Sequence, residues 1–158
     1  MDLQFKTLDQ MNLDDIISIR IQVLRDANKL KDDDDLSYLE VPLLKYYNEC
    51  KNNEQHYSIY AFVENEFAGC GGVSFYTLLP TCDNPSGENA YIMNMYTEPK
   101  YRRKGIARRI LDLLITEAMN RGITSIRLEA TEAGSKLYLK HNFSYLKNEM
   151  ELLIAKEN

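Results

Sequence analysis

The residues best suited to chemistry lie in one short basic turn, where a strand-like segment ends and a helix begins. Six of the 19 Lys and Arg residues of the chain fall between Lys100 and Arg109. A helix N-terminus presents unpaired N–H groups and a partial positive charge, so it binds anions readily. Gly105 and the small Ala107 allow a phosphate to approach the backbone closely. The segment therefore predicts a pyrophosphate-binding turn, with a solvated basic helix start as the alternative.

Other phosphate-binding classes fit the sequence poorly. It contains neither the GxxxxGK[ST] of a Walker loop nor the GxGxxG of a dinucleotide-binding fold. The first 99 residues hold 7 Lys or Arg and 17 Asp or Glu, whereas the rest of the chain holds 12 and 7. An acidic chain with one compact basic patch favours a small anion over DNA or RNA. We predict no nucleic-acid partner.

Length and composition are those of one globular domain. The 158 residues are 44% hydrophobic and 27% charged, which is enough for one sizeable core. No stretch approaches the roughly 18 apolar residues of a membrane span, and the N-terminus lacks the pattern of a secretory signal. We predict a single domain over residues 1–158, in the cytoplasm, with no membrane partner.

The cysteines and histidines show no pattern of a metal site or a catalytic triad. The 3 cysteines (Cys50, Cys70 and Cys82) are odd in number and lack CxxC spacing, which fits a reducing cytosol. His56 and His141 are isolated in the sequence. Cys70 has no neighbouring base that would activate it as a nucleophile, so we predict a small core residue. We predict no metal.

The elements that would position the turn follow a mixed α/β order. Alternating patterns and β-forming residues predict strands at 3–8, 57–63, 67–76, 90–96 and 123–130. Helical periodicity predicts helices at 12–28, 36–52, 105–121 and 133–141. Gly71-Gly72 indicates a bulge or a close backbone approach, and residues 143–154 are expected to add one or two closing strands. The fold class is therefore α/β, with a mixed sheet of about six or seven strands and about four helices.

Two motifs resemble those of the GNAT superfamily of N-acetyltransferases. Arg102-x-x-Gly105-x-Ala107 matches the acetyl-CoA signature of that family, Q/R-x-x-G-x-G/A. Leu137–Phe143 resembles its L-Y-x-K-x-G-F element, and the segment Met95–Pro99 is similar to its V-x-P approach to the turn. Asn142 replaces the last glycine of the element. Because asparagine tolerates a left-handed conformation, we expect the turn there to be kept.

The resemblance covers nearly the whole chain and implies acetyl-CoA as co-substrate. It implies that acetyl-CoA lies in a gap between two splayed parallel strands, here 90–96 and 124–130. The end of the first strand would pair with the pantetheine arm, and the turn would hold the pyrophosphate. An N–H near Met95 would polarise the thioester carbonyl. The expected acetyl-CoA-binding residues are Met95, Tyr96, Thr97, Arg102, Arg103, Lys104, Gly105, Ile106, Ala107 and Arg108.

The resemblance also implies direct attack by a primary amine in a ternary complex, without a covalent enzyme intermediate. Tyr138 occupies the general-acid position of the family and would return a proton to the CoA thiolate. An amine with a pKa of about 10.4 is mostly protonated at pH 7, so it must first lose a proton. Glu88 and Glu129 are candidate bases, and deprotonation through ordered water is the alternative.

The acceptor is expected to be a small-molecule or peptide amine. In the family the first two helices and their loop form the acceptor wall, and here this region contains Asp32–Asp35 and Glu40. We expect the loop 77–88, with Asp83 and Glu88, on the same side. Such an acidic wall favours a cationic acceptor. An acyl-CoA-binding sensor without turnover stays open as the alternative function, and so does a homodimer, since many members of the family are dimers.

Overall fold

The central feature of the structure is a five-stranded sheet, seen in a computed structural model that describes residues 2–154. The strands lie in sequence order across the sheet, and their bounds are β1 Leu3–Thr7, β2 His56–Val63, β3 Glu66–Thr77, β4 Glu88–Thr97 and β5 Ile126–Leu128. Strands β1 to β4 pair antiparallel with their neighbours, whereas β4 and β5 pair parallel. The predicted α/β class with a mixed sheet is confirmed.

Helices cover both faces of this sheet. Their bounds are α1 Leu13–Ala27, α2 Glu40–Asn53, α3 Ile106–Asn120 and α4 Glu132–Lys140. Short 3-10 turns precede α2 and α3 and follow β1, at Ser37–Leu39, Pro99–Tyr101 and Leu8–Gln10. The predicted helices are confirmed, although α2 begins later than its pattern indicated.

Alternate residues of β2 supply two separate apolar cores. Ile59 packs into the core that α3 closes from one face, and Tyr60 packs into the core under α1 and α2 on the other. On α3, residues Ile106, Ile110 and Leu114 repeat every fourth position and are buried. This spacing places one continuous apolar stripe against the sheet.

The sheet has fewer strands than the sequence predicted. Residues 143–154 form no strand and lie beside β5, which they contact through an ion pair between Arg127 and Glu149. Of the strand expected at 123–130, only the three residues of β5 form a strand. Alternation shows which face a strand would bury but not which edge it would join. The prediction of six or seven strands is therefore wrong for the described residues, which contain five.

Candidate functional site

β4 and β5 pair over a short distance and then separate. Their register begins with Ala90 opposite Ile126 and ends with Ile92 opposite Leu128. Beyond Ile92, β4 continues to Thr97 against β3, whereas β5 has ended. A gap therefore opens beside the carboxyl-terminal half of β4, where the expected splayed strands lie.

A β-bulge lies in β4 at this gap. Gly72 pairs with Met93 and Cys70 pairs with Tyr96, so that Asn94 and Met95 together stand opposite Gly71. The predicted irregularity at Gly71-Gly72 is confirmed, with the extra residue in the partner strand. A bulge leaves its extra residue outside the ladder of hydrogen bonds. On its other edge, β4 has no partner strand beyond Ile92 among the described residues, so its backbone groups are available at the gap.

Gly71 makes room for the side chain of Met95. A Cβ at Gly71 would lie 2.5 Å from Met95 Sδ and 2.6 Å from Ile110 Cγ2. Met95 therefore fills the space between β3 and α3, directly over the glycine. Its side chain points to the α3 face, which fixes the peptide groups on either side of it at the bulge.

The first turn of α3 is open toward the same end of the sheet. Gly105 is the N-cap residue with a φ of 81°, and α3 has neither a side-chain cap nor an acidic residue in its first turn. Arg103 also has a positive φ, 60°. A Cβ at Gly105 would meet no atom within 4 Å. The unpaired N–H groups at the start of α3 therefore face open space, as an anion site requires.

Three basic side chains of the turn have no acidic partner. Within residues 2–154, no carboxylate lies within 4.0 Å of Arg102, Arg103 or Lys104. Arg102 Nε instead donates a hydrogen bond to the Thr97 carbonyl oxygen at 3.0 Å, which ties the turn to the end of β4. Unpaired positive charge and open helix N–H groups thus occur together.

An orphaned polar atom marks the end of β4. Thr97 Oγ1 is buried and finds no hydrogen-bond partner within residues 2–154. A buried hydroxyl without a partner costs free energy, so a polar ligand group beside it would be stabilising. Together with the open turn of α3, Thr97 makes this region fit an extended polar ligand such as acetyl-CoA.

The other predicted binding residues contribute mainly backbone. Ile106 is buried in the α3 core, so only its N–H faces an anion. Ala107 is half-buried, and the exposed Arg108 lies 4.0 Å from Asp112. The Tyr96 hydroxyl donates to an Asp26 carboxylate oxygen on α1, which holds its side chain away from the α3 face.

Tyr138 is buried in α4 beside β5. Its ring packs edge-on against Phe143, with 5.9 Å between the ring centroids. It lines a cavity of about 640 Å³ that reaches the exposed Glu129 just after β5. Burial raises the pKa of the Tyr138 hydroxyl, so at neutral pH this group holds a proton that it can donate. Asn142 at the end of α4 has a φ of 65°, which confirms the expected left-handed turn.

The loop before β4 lies at the wrong end of the sheet for an acceptor wall. Glu88 is the first residue of β4, and Met95 is about seven residues further on, roughly 23 Å at 3.3 Å per residue. Asp83 precedes Glu88 in the same loop. The expectation that this loop joins the acceptor wall is therefore wrong, and Glu88 is too far from the bulge to act as a base.

The acidic loop after α1, in contrast, lies at the gap end. In the second half of α1, Gln22 donates a hydrogen bond to Glu98, and Asp26 accepts one from Tyr96. The chain then enters the loop that carries Asp32–Asp35. This loop follows directly on contacts with the end of β4, so it can face an acceptor that approaches the gap.

Cys70 is a core residue, as predicted. Its side chain is completely buried on the α1 face of β3. Burial raises the pKa of the Cys70 thiol to about 12. At neutral pH the group is therefore a thiol and not a thiolate nucleophile.

Sequence patterns did not single out Asn94 and Arg20. Asn94 has a φ of 58°, and its side-chain Oδ1 accepts a hydrogen bond from Arg20 Nη1 of α1 at 2.7 Å. Asparagine is depleted in strands and tolerates a positive φ. An Asn inside a predicted strand could therefore have indicated an irregularity at this position. Nothing in the sequence indicated its partner 74 residues away.

Two further negative findings concern the described residues. No helix among residues 2–154 is long and apolar enough to cross a membrane. In the same part of the chain, no group of three or more His, Cys, Asp or Glu side chains could hold a metal ion.

His56 is a buried histidine under α2. Its Nδ1 lies 3.0 Å from the hydroxyl oxygens of both Tyr46 and Ser74. Burial, with a smaller contribution from the charge of Arg20, lowers the pKa of His56 to about 4. The imidazole is therefore neutral at pH 7 in the folded protein.

We expect His56 to make the protein sensitive to acid. Between pH 6.5 and about 4, the unfolded chain binds a proton at this residue and the folded chain does not. The free energy of unfolding therefore decreases as the pH is lowered through this window, by roughly 3 kcal/mol at about 1.4 kcal/mol per pH unit. Urea unfolding at pH 7 and pH 4.5 should show a smaller loss in His56→Gln than in the wild type. Ser74→Ala keeps the imidazole and should keep the loss, and an equal loss in His56→Gln would refute this assignment.

The comparisons with known proteins agree with this geometry. The model of the Acetyltransferase (GNAT) family matches residues 22–143. The uncharacterized N-acetyltransferase YsnE of Bacillus subtilis (strain 168) is 34% identical over 90 residues, which is 54% of each chain. The chain therefore matches about half the length of this curated relative.

Solved structures match over nearly the whole chain. The crystal structure of a predicted acetyltransferase with acetyl-CoA, from Clostridium acetobutylicum, has a TM-score of 0.82 and 30% identity and covers 96% of both chains. A GCN5-related N-acetyltransferase from Ralstonia eutropha JMP134 has a TM-score of 0.77 and 20% identity, covering 96% of this chain and 98% of that one. At that identity the second match shows the fold alone.

Proposed function

Because the chain belongs to the acetyltransferase (GNAT) family, we propose that it transfers an acetyl group from acetyl-CoA to the nitrogen of a primary amine. The observation that carries this proposal is the gap between β4 and β5 beside the open, basic N-terminus of α3. The relative from Clostridium acetobutylicum, whose structure is with acetyl-CoA, supports the choice of donor.

The turn and the end of β4 would hold acetyl-CoA together. N–H groups of residues 103–108 would bind the pyrophosphate, with added attraction from the charges of Arg102, Arg103 and Lys104. Backbone groups of Met95, Tyr96 and Thr97 would pair with the pantetheine arm as if it were an added strand. The orphaned Thr97 Oγ1 supports a polar contact at this point.

The reaction would proceed by direct attack. The amine nitrogen bonds to the acetyl carbon, the carbon–sulfur bond breaks, and the nitrogen loses a proton while the CoA sulfur gains one. The N–H of Met95 would stabilise the negative charge that develops on the carbonyl oxygen. Tyr138 would supply the proton to sulfur, since its phenol is protonated at neutral pH and it lines the cavity beside β5.

The amine must be a free base before it attacks. A lysine-like amine is neutral only at a level of about 10⁻³ to 10⁻⁴ at pH 7, which costs roughly 4–5 kcal/mol. Of the two candidate bases Glu88 and Glu129, only Glu129 lies at the gap end, since it follows β5. It is exposed, so water that passes the proton to solvent serves equally well and no single base is required.

We propose that the acceptor is cationic because of the loop Asp32–Asp35. Two of its carboxylates hold the loop itself: Asp34 accepts from the Lys31 N–H at 2.7 Å, and Asp35 accepts from the Ser37 N–H at 2.9 Å. No hydrogen bond within residues 2–154 involves the side chains of Asp32 and Asp33, which are exposed. These two carboxylates are available to attract a positively charged acceptor.

Replacing Asp32 and Asp33 by asparagine should therefore raise KM for a cationic acceptor. Asp34 and Asp35 stay in place, so the loop keeps its internal hydrogen bonds. We expect an increase of about tenfold at low salt, which shrinks as salt screens the attraction. Acetyl-CoA affinity should not change. Asp83→Asn, which removes a charge at the other end of the sheet, is the control, and an equal KM in all three proteins would refute the acidic wall.

An acyl-CoA sensor without turnover is the second candidate function. The same gap and turn would bind the thioester in both cases, so binding alone does not separate them. The separating experiment is release of the CoA thiol from acetyl-CoA with a panel of polyamine, aminoglycoside and lysine-peptide acceptors. Amine-dependent release identifies the enzyme. Tight acetyl-CoA binding with no release above the amine-free rate for any acceptor identifies the sensor.

A further inference from the structure

We propose that Arg20 is a positioning residue for the bulge of β4, and that it acts by holding Asn94 in its left-handed conformation. Arg20 Nη1 on α1 donates to Asn94 Oδ1 at 2.7 Å, and the Cys70 thiol donates to the Asn94 carbonyl oxygen at 3.4 Å. Asn94 is thus held by its side chain and by its backbone. This proposal rests on the proposed function, since the bulge matters through the N–H of Met95.

The orientation of the side chains shows what the contact maintains. Met93 lies on the α1 and α2 face, where its Sδ is 4.0 Å from Ser74 Oγ, and Asn94 points to the same face because it meets Arg20. Met95 points to the other face, over Gly71. Two successive residues on one face are the mark of the bulge. If β4 lost the bulge, every residue beyond it would turn over, the peptide N–H of Met95 included.

The left-handed backbone of Asn94 needs such support. A positive φ is disfavoured for residues other than glycine, although asparagine bears it best. Arg20 can only reach Oδ1 while Asn94 faces α1, so the hydrogen bond selects the bulged conformation over a regular strand. The thiol of Cys70 acts in the same direction, and as a protonated S–H it has a hydrogen to donate.

α1 also contacts β4 beyond the bulge, which offers a matched control. Gln22, two residues after Arg20 on α1, donates to Glu98, which directly follows the last residue of β4. This hydrogen bond ties α1 to the residue that follows β4 but does not touch Asn94 or Met95. Loss of it tests whether any α1–β4 contact suffices or whether the contact at the bulge is required.

Kinetics of four variants test the proposal. Arg20→Gln and Asn94→Ala should each lower kcat on the order of 10- to 100-fold, below the 10²- to 10³-fold loss seen when an oxyanion donor itself is removed. The acetyl-CoA Kd should rise by a much smaller factor than kcat falls, because the pyrophosphate site at the start of α3 is untouched. Asn94→Asp keeps both an acceptor for Arg20 and tolerance of a positive φ, so it should keep kcat. Gln22→Ala should also keep it.

Non-additivity gives a second check. The double variant Arg20→Gln, Asn94→Ala should be no slower than the slower of the two single variants, because both substitutions remove the same hydrogen bond. Additive losses, an unchanged kcat in Arg20→Gln, or an equal loss in Gln22→Ala would overturn the proposal.

A readout that needs no turnover separates this proposal from the proposed function. The backbone amide proton of Met95 should shift in the NMR spectrum between the CoA and acetyl-CoA complexes, and Arg20→Gln should abolish that difference. If the wild-type protein shows the shift but releases no CoA with any amine, the proposed transfer fails and the role of Arg20 stands. If the wild-type amide does not distinguish the two ligands, the role of Arg20 is overturned even in an active enzyme.

Discussion

Replacement of Gly105 by glutamate is expected to remove most of the affinity for acetyl-CoA. The change places a carboxylate where the pyrophosphate would bind, at an N-cap with a φ of 81°. Juxtaposed like charges cost several kcal/mol, and each 1.4 kcal/mol is tenfold in Kd. We therefore expect the Kd for acetyl-CoA, measured by titration calorimetry, to rise on the order of 100-fold or more.

Gly122 supplies a matched control at the other end of α3. It also has a positive φ, 75°, and a Cβ at either glycine would meet nothing within 4 Å. Gly122→Glu therefore imposes a similar backbone strain and the same charge change, although its carboxylate, at the C-terminal end of α3, should make it the less stable of the two variants. Only Gly105→Glu should lose acetyl-CoA. Equal affinities in the two variants, whether both kept or both lost, would contradict an anion site at the start of α3.

Replacement of Tyr138 by phenylalanine is expected to lower kcat on the order of 10²-fold, within the range of a general acid. The ring is 8% exposed and packs against Phe143, so removal of the hydroxyl leaves the packing in place. Acetyl-CoA affinity and Tm should change little, because the lost interaction matters only when the CoA sulfur takes its proton.

Tyr145 is the control for this change, since it lines the same cavity but is 68% exposed. Tyr145→Phe should retain the wild-type kcat. The wild-type rate should also fall at alkaline pH as Tyr138 loses its proton, above the ordinary tyrosine range because burial raises the pKa of this group. A Tyr138→Phe enzyme with full kcat would show that the proton comes from elsewhere.

Local patterns were sufficient to predict the elements around the site. The apolar stripe and following glycine of α3 define a helix, and the basic turn before it could be located from residue types alone. The left-handed turn at Asn142 was predicted because asparagine adopts this conformation at low cost, whereas the positive φ of Gly105, inside the predicted helix 105–121, was not predicted. Each of these features depends on residues that are close together in the chain, so it can be recognised from one sequence alone.

Contacts between distant segments could not be predicted in the same way. The bulge at Asn94 depends on Arg20 and Cys70, which approach it only in the folded sheet. The direction of β4 places the loop with Asp83 at the far end of the sheet, and no property of that loop itself indicates this. The segment 143–154, expected to add one or two closing strands, likewise contains nothing that specifies a partner edge in the sheet.

The most direct test of acetyl-CoA binding is thermal unfolding of the wild-type protein with acetyl-CoA, CoA and ATP in parallel. Ligand at about 100 times Kd adds about 2.7 kcal/mol to the free energy of unfolding. For a domain of this size that raises Tm by roughly 5–10 °C. We expect such a rise with acetyl-CoA and CoA, and a much smaller one with ATP, which lacks the pantetheine arm. No rise with either CoA ligand, or an equal rise with ATP, would contradict an acetyl-CoA site between β4 and β5.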